Sequence, residues 1–183
     1  MLYVSDIYTT APESFKTPVQ RRTYQALKKL GIPYERVETD EAITMEDCVA
    51  IDEKLKMKMV KTLFLTNKQQ AAFYVFVTTG EKHFDSRAFC AALDVPRVSF
   101  APAVLMEEVL GVRVGAATVF GVLLDAAGEV RVVIDRDVAN EEYYGCSDGT
   151  TTGYMKIRTS DIIDRFLPYA DHPATIIDMP QAE

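Results

Sequence analysis

From Thr17 the chain places Val19, Thr23, Ala26, Leu27 and Leu30 at intervals of three and four, the spacing of one helix face. Thr17 stands where a capping hydroxyl belongs, Pro18 at the first helical position, and Gln20 where it completes a capping box. Gly31 and Pro33 stop the helix. Residues 34–38 alternate apolar and polar like a half-exposed strand. Thr44, with Asp47 three residues later, predicts a second capped helix over residues 46–58. Two strand-like runs, residues 60–66 and 72–78, flank the polar turn Asn67-Lys68-Gln69-Gln70 and predict a hairpin.

Further along, residues 85–93 read as helical and 97–100 as extended. Residues 102–110 read as a helix with Pro102 at its first position. Residues 119–125 and 130–135 predict a second hairpin around Ala126-Ala127-Gly128-Glu129. A strand over 150–157, a capped helix over 160–167 and a short strand over 174–177 complete the pattern. Hairpins outnumber strand–helix–strand units, so the expected fold class is α/β (α+β): one mixed, largely antiparallel sheet flanked by helices. No repeat or linker interrupts it. The expected organisation is a single domain, 1–183, with residues 1–16 and 179–183 as peripheral ends.

Composition narrows the picture. With 183 residues, 48% hydrophobic and 26% charged, the chain falls among ordinary globular domains rather than disordered or collagen-like ones. No apolar run approaches the ~18–20 residues of a membrane span. The N-terminus, with Asp6 and no basic segment before an apolar core, does not read as a secretory signal, so a cytoplasmic protein is expected. Three cysteines, Cys48, Cys90 and Cys146, are widely spaced without a CxxC pair. With only His83 and His172 beside them, they predict reduced thiols and no metal site.

The net charge of −7 argues against a nonspecific nucleic-acid binder, and no DNA partner is expected. Yet the charge is uneven. Residues 54–87 carry seven basic side chains (Lys54, Lys56, Lys58, Lys61, Lys68, Lys82, Arg87) against Glu81 and Asp85, a local excess of +5. Such a patch can steer a polyanion, because screening confines each charge to ~8–10 Å. It also fits a plain solvated helix face.

Three segments carry candidate chemistry. In Val60-Lys61-Thr62-Leu63-Phe64-Leu65 a lysine opens a very apolar strand; it either meets an anion there or snorkels to solvent from the strand end. The stretch from Leu110 to Gly121 holds Gly111, Gly115, Gly121, Ala116 and Ala117 just before a strand. Its backbone could approach a ligand closely and offer N–H groups to a developing oxyanion. It fits neither GxxxxGK[ST] nor GxGxxG, so no nucleotide loop is supported. Tyr143-Tyr144-Gly145-Cys146-Ser147-Asp148-Gly149 holds a thiol without a neighbouring histidine, and Asp148-Gly149 reads as a hairpin turn.

Taken in order, Leu30-Gly31-Ile32-Pro33-Tyr34-Glu35, Thr44-Met45-Glu46, the Lys61 strand, Val98-Ser99-Phe100-Ala101 and Leu110-Gly111-Val112 running into Gly115 and Phe120-Gly121 make the chain resemble a known family. This is the YbaK/prolyl-tRNA-synthetase-associated editing domain, and the nearest branch is the free-standing ProXp-ala or PrdX-like alanyl-tRNA(Pro) deacylases. The resemblance implies a mixed sheet flanked by helices and hydrolysis of the ester joining a wrong amino acid to tRNA(Pro), most directly alanine. It implies Lys61 and Gly115 as catalytic positions, and Thr44, Met45, Thr62, Phe100, Ala116, Ala117 and Thr118 around the substrate. No cofactor is implied. The partners implied are the acceptor end of aminoacyl-tRNA(Pro) and prolyl-tRNA synthetase. Three positions depart from the family pattern: Val119 stands where a loop proline is usual, Gly145 where a histidine occurs, and Thr62 where asparagine is common. These departures support a second expectation, a binding module of the same fold that does not turn over. A thiol enzyme built on Cys146 is a third.

Overall fold

The computed structural model describes residues 2–181. Helix α1 spans Pro18–Leu30. The Gln20 N–H donates to Thr17 Oγ1 at 3.0 Å, and Gly31, at φ +65°, turns the chain out of the helix. The Gln20 side chain departs from the expected box: its Oε1 accepts from the N–H of Lys16, not Thr17, while its Nε2 reaches Asp148. Val19, Thr23, Tyr24, Ala26 and Leu27 form the buried face.

Strand β1, Glu35–Glu38, joins β7, Gly153–Arg158, and β6, Tyr143–Ser147, in an antiparallel sheet ordered β1-β7-β6. The segment before α1 lies along the outer edge of β1, through bridges Val4–Thr39 and Tyr8–Arg36. The second sheet is ordered β4-β2-β3-β5-β8. It comprises β2 (Val60–Asn67), β3 (Phe73–Thr79), β4 (Val98–Phe100), β5 (Arg131–Asp135) and β8 (Thr175–Ile177). Helices α2 (Val49–Leu55), α3 (Ser86–Leu93), α4 (Ala103–Leu110), α5 (Arg136–Ala139) and α6 (Leu167–Tyr169) fill the connections. Strands β2 and β3 are covered on both faces, which explains their continuous apolar runs. Phe64, Val75 and Val77 face a core shared with α1 and the small sheet, whereas Leu65, Tyr74 and Phe76 face Phe89 of α3.

The first hairpin forms as the pattern predicts, with Val60 opposite Thr79 and Thr66 opposite Phe73. The second does not exist. β5 pairs in parallel with β3 on one side and β8 on the other, so both its edges are taken. The apolar run before it folds instead as a 3₁₀ turn, Val119–Leu123. Thr118 Oγ1 caps that turn by accepting from the Phe120 N–H, and Gly121 presses so close to Leu110 that a Cβ would lie 2.8 Å from Leu110 Cβ.

Three helix expectations also shift. Thr44 and Asp47 do exchange hydrogen bonds, but they close a turn, and α2 begins only at Val49 and ends before Lys56, at φ +53°. Pro102 caps α4 rather than opening it. Over 161–166 the helix is of the wide π type, Ser160 contributing no side-chain cap. Pro168 follows at once with no N–H to donate back to residue 164.

The +5 stretch is also not one face. Lys82 is only 2% exposed and paired inside the protein, while Lys68 sits at the hairpin tip, roughly 23 Å of strand away from Lys61.

A buried carboxylate ties α1 to the β6–β7 turn. Asp148, 1% exposed, accepts at Oδ2 from Gln20 Nε2 (2.9 Å) and the Tyr24 hydroxyl (2.8 Å), and at Oδ1 from Thr150 Oγ1 (2.7 Å). Burial, reinforced by Asp148, pushes Tyr24 far above the ordinary tyrosine range, so it remains a donor. Asp52 of α2 accepts the Met59 N–H at 3.0 Å and fixes the entry into β2.

Three substitutions test this account. Burial pushes Asp52 up from 3.8 to about 6, with the Met59 N–H opposing. A carboxyl raised in the folded state contributes stability that is full below about pH 4 and is lost as pH rises through about 6. Asp52→Asn keeps an acceptor oxygen and removes the titration. Its stability relative to wild type should therefore improve by ~1 kcal/mol between pH 4 and pH 7, an amount discounted for the half-exposed site. Urea denaturation at the two pH values reads this; an unchanged gap would refute it. Val119 occupies the first position of the 3₁₀ turn, and Thr118 before it is extended (φ −155°, ψ 150°), the conformation favoured ahead of proline. Val119→Pro should therefore fold with a melting temperature within about 4 °C of wild type. Thr118→Val, which removes the cap, should cost ~1 kcal/mol. Collapse of the proline variant in a thermal melt would show that the loop demands a valine N–H.

Candidate active site

Beside the start of β2 the small sheet closes in, with Met59 bridging Gly145 in parallel. Strand β4 pairs only with residues 65–67, so among the described residues one edge of β2 near Lys61 has no strand neighbour. A cavity of about 280 Å³ opens on that edge. Its floor is apolar and buried: Ala42, Cys48, Met59, Cys146 and Tyr154. Its rim carries Thr44 and Met45 from the turn before α2, Lys61 and Thr62 of β2, Met106 of α4, and Val114, Gly115 and Ala117 of the glycine loop.

The glycine loop is held from both ends. Gly111 ends α4 at φ +68°, and Arg113 pairs with Glu41 at 2.9 Å. Gly115, at φ +90°, lies against Ile43; a Cβ there would stand 3.0 Å from Ile43 Cγ2 and 3.3 Å from Ile43 Cα. Both the left-handed backbone and the close approach therefore require glycine at 115. Among the described residues the N–H groups of Gly115 and Ala117 make no hydrogen bond, whereas the Ala116 N–H donates to Arg113 O at 3.0 Å. Two donors on the rim are thus free, and one of those expected is not.

Lys61 Nζ donates to the backbone carbonyl of Lys82, in the turn after β3. An ammonium has three hydrogens, and among the described residues this is its one hydrogen bond, so two stay unengaged. Burial holds its pKa below the ordinary lysine value, with Glu81 opposing. The thiols on the floor stay protonated near neutrality. Burial pushes Cys48 up to about 11, with Asp52 and Asp47 adding. Burial and then Asp148 raise Cys146 well above its usual range, against the Thr118 hydroxyl. Tyr154 is raised likewise, and its hydroxyl donates to Ala42 O or Thr151 O. The floor is neutral and mostly apolar, and the residues of the rim include one ammonium, Lys61, and two with unengaged backbone N–H groups, Gly115 and Ala117.

Of the residues singled out from sequence, Lys61, Gly115, Thr44, Met45, Thr62 and Ala117 meet at this cavity. Three do not. Phe100, 60% exposed, stacks edge-on against Phe84 at the far side of β4. Ala116 turns to the opposite face of its loop, toward a second cavity of about 330 Å³ beside Lys16 and Thr17. Thr118 is fully buried under the 3₁₀ turn it caps. Gly145 faces Met57 and the Lys58 carbonyl, with no room for any side chain, so a histidine could not stand there in this backbone. The floor residues Cys48, Met59 and Tyr154, and Met106 on the rim, were not marked by any pattern; they look like ordinary core positions and meet only in the folded chain. Among the described residues no group of three His, Cys, Asp or Glu is placed to hold a metal ion, and no helix is long and apolar enough to cross a membrane.

Comparison with known proteins follows the same outline. The model of the aminoacyl-tRNA editing domain matches residues 39–164, an interval containing every residue of the cavity. The prolyl-tRNA editing protein ProX of Acetoanaerobium sticklandii is 30% identical over 112 residues, covering 61% of this chain and 68% of that protein. The prolyl-tRNA synthetase associated domain-containing protein 1 of Danio rerio is 27% identical over 161 residues, covering 87% of this chain and 86% of the relative. A solved structure described as a proposed trans-editing enzyme for prolyl tRNA synthetase superposes with a TM-score of 0.66 at 15% identity, over 91% of this chain and all of the other. At that identity the superposition speaks for the fold, a mixed α/β arrangement, while the domain match extends over more than half of the sequence. The chain belongs to the aminoacyl-tRNA editing domain family.

Proposed function

We propose that the protein is a trans-acting deacylase that hydrolyses the ester of mischarged tRNA(Pro), with Ala-tRNA(Pro) as its principal substrate. The observation that carries this reading is the small neutral chamber with the Lys61 ammonium and the unengaged Gly115 and Ala117 N–H groups at its mouth. Family membership and the ProX relative support the reaction class.

An aminoacyl ester is already reactive, so holding it beside a water supplies much of the acceleration. Water adds to the carbonyl carbon, and charge collects on the former carbonyl oxygen. Gly115 and Ala117 N–H groups aimed at that oxygen stabilise the intermediate. The carbon–ribose oxygen bond then breaks and the ribose oxygen takes a proton. Among the described residues no histidine or carboxylate borders the cavity, so the neighbouring ribose hydroxyl of the substrate serves as the proton carrier. Lys61 pairs with the phosphate of the terminal nucleotide or with the scissile end. Protonated Cys48 and Cys146 act as apolar walls, and Met45 and Met59, being flexible, set the size limit. A pocket of this kind separates side chains differing by one methylene by only ~1–3 kcal/mol, so some activity on larger residues is expected. Partnership with prolyl-tRNA synthetase and a cytoplasmic location follow from the same reading.

The decisive measurement is a deacylation panel on tRNA(Pro) charged with Ala, Cys, Ser or Pro. Ala-tRNA(Pro) should be cleaved fastest and Pro-tRNA(Pro) spared. Lys61→Ala should lose about 10- to 100-fold in rate, the worth of one charge-assisted hydrogen bond. Cys146→Ser should stay within a few-fold of wild type, since no thiolate is used. Binding without turnover in the wild type would favour the alternative, a non-catalytic aminoacyl-tRNA binding module.

A further inference from the structure

Lys82 lies in the turn after β3, outside the cavity lining. Its ammonium is 2% exposed, and each of its hydrogens has an acceptor: Asp135 Oδ2 at 2.8 Å, Asp137 Oδ2 at 2.7 Å and the Met179 carbonyl at 2.9 Å. Burial alone would pull its pKa down, but the hydrogen bonds and charges of the two aspartates outweigh this and leave it above the ordinary value. Asp135, 1% exposed, also accepts from Thr78 Oγ1 at 2.7 Å, and Thr78 is the residue opposite Lys61 in the β2–β3 register. A fully paired lysine inside a protein contributes little net stability, because desolvation cancels most of the attraction. What it does supply is a fixed position for the backbone that carries it.

That backbone borders the site in three ways. The Lys82 carbonyl receives Lys61 Nζ. The Glu81 carboxylate acts on the Lys61 charge. Gly80 packs on Met45 of the rim so tightly that a Cβ would lie 2.6 Å from Met45 Cε. We propose that Lys82 is a positioning residue: by clamping the turn to Asp135 and Asp137 it holds the carbonyl that aims Lys61 into the cavity. This deepens the deacylase reading and rests on it only for the part read through activity.

The test removes the clamp and watches Lys61. The double variant Lys82→Met/Asp135→Asn eliminates both buried charges; Asp137 loses its cation but is half-exposed and meets water instead. Lys61 is then titrated in the intact protein by pH-dependent acylation with an N-hydroxysuccinimide ester, read peptide by peptide by mass spectrometry. Lys68 at the hairpin tip is the internal reference. The groups facing Lys61 are Glu81 and Lys82 of the turn, Cys48 before α2, Cys146 of β6 and Tyr154 of β7; only the turn is changed by the substitutions. Burial is the main cause of the depressed Lys61 value, so loosening the turn should hydrate the ammonium and move its titration upward from the wild-type position. On Ala-tRNA(Pro), kcat should fall about 10- to 100-fold with KM changing less than about threefold, the mark of lost aim rather than lost binding. Asp137→Asn, at a half-exposed position, should shift Lys61 in the same direction by less, and it decides the matter if the double variant does not fold. An unmoved Lys61 titration in a folded variant overturns the proposal. A wild-type protein without deacylase activity but with the Lys61 shift intact would instead overturn the functional reading alone.

Discussion

Where the two sheets meet, Met59 bridges Gly145, and the strands run so close that a methyl group at 145 would lie 2.6 Å from the Met57 sulfur and 2.9 Å from the Lys58 carbonyl oxygen. This approach is possible only for glycine. It brings β6 against the start of β2 and leaves β2 with a bare edge next to Lys61, because β4 reaches no further than residue 65. The cavity is the space so created. Its floor comes from the small sheet and the turn before α2, and its mouth from β2 and the glycine loop. A side chain at 145 would pry the sheets apart and alter floor and mouth together.

Two buried polar clusters hold this junction from opposite sides. Asp148 gathers neutral donors from α1 and its own turn. Lys82 gathers two carboxylates and a carbonyl from β5, α5 and the C-terminal segment. Neither lies on the cavity floor, and both sit one step behind a backbone that does border the site. Apolar packing would have served stability as well; directional hydrogen bonds fix where a turn stands, which apolar contacts do less well.

Much of the scaffold was legible because local chemistry and tertiary context agree there. The cap, periodicity and stop of α1 and the first hairpin follow from residue type and spacing. The run at 119–125 misled because apolar residues suit a core 3₁₀ turn as well as a strand, and only the filled edges of β5 decide between them. Lys61 stood out as a charge opening an apolar strand. Lys82 did not, since a lysine in Gly80-Glu81-Lys82 looks like an ordinary surface residue until Asp135, 53 positions later, is brought beside it. In the glycine loop the sequence marked the right segment but not which side each residue shows, and so Ala116 and Thr118 fell on the wrong faces.

The Asp148 cluster also bears on how the protein comes into being. Its donors Gln20 and Tyr24 stand 128 and 124 residues before the carboxylate they bind, and β1 must wait for β7, with Glu35 meeting Lys156. Contacts so distant along the chain form slowly, since a long loop must close before any of them is gained. A nascent chain extended only through β5 has β2, Lys61 and the glycine loop but lacks Cys146 and Tyr154 of the floor and the Asp148 carboxylate that Gln20 and Tyr24 bind. The cavity is therefore completed only when β6 and β7 have been made, and competence at the site arrives late in synthesis.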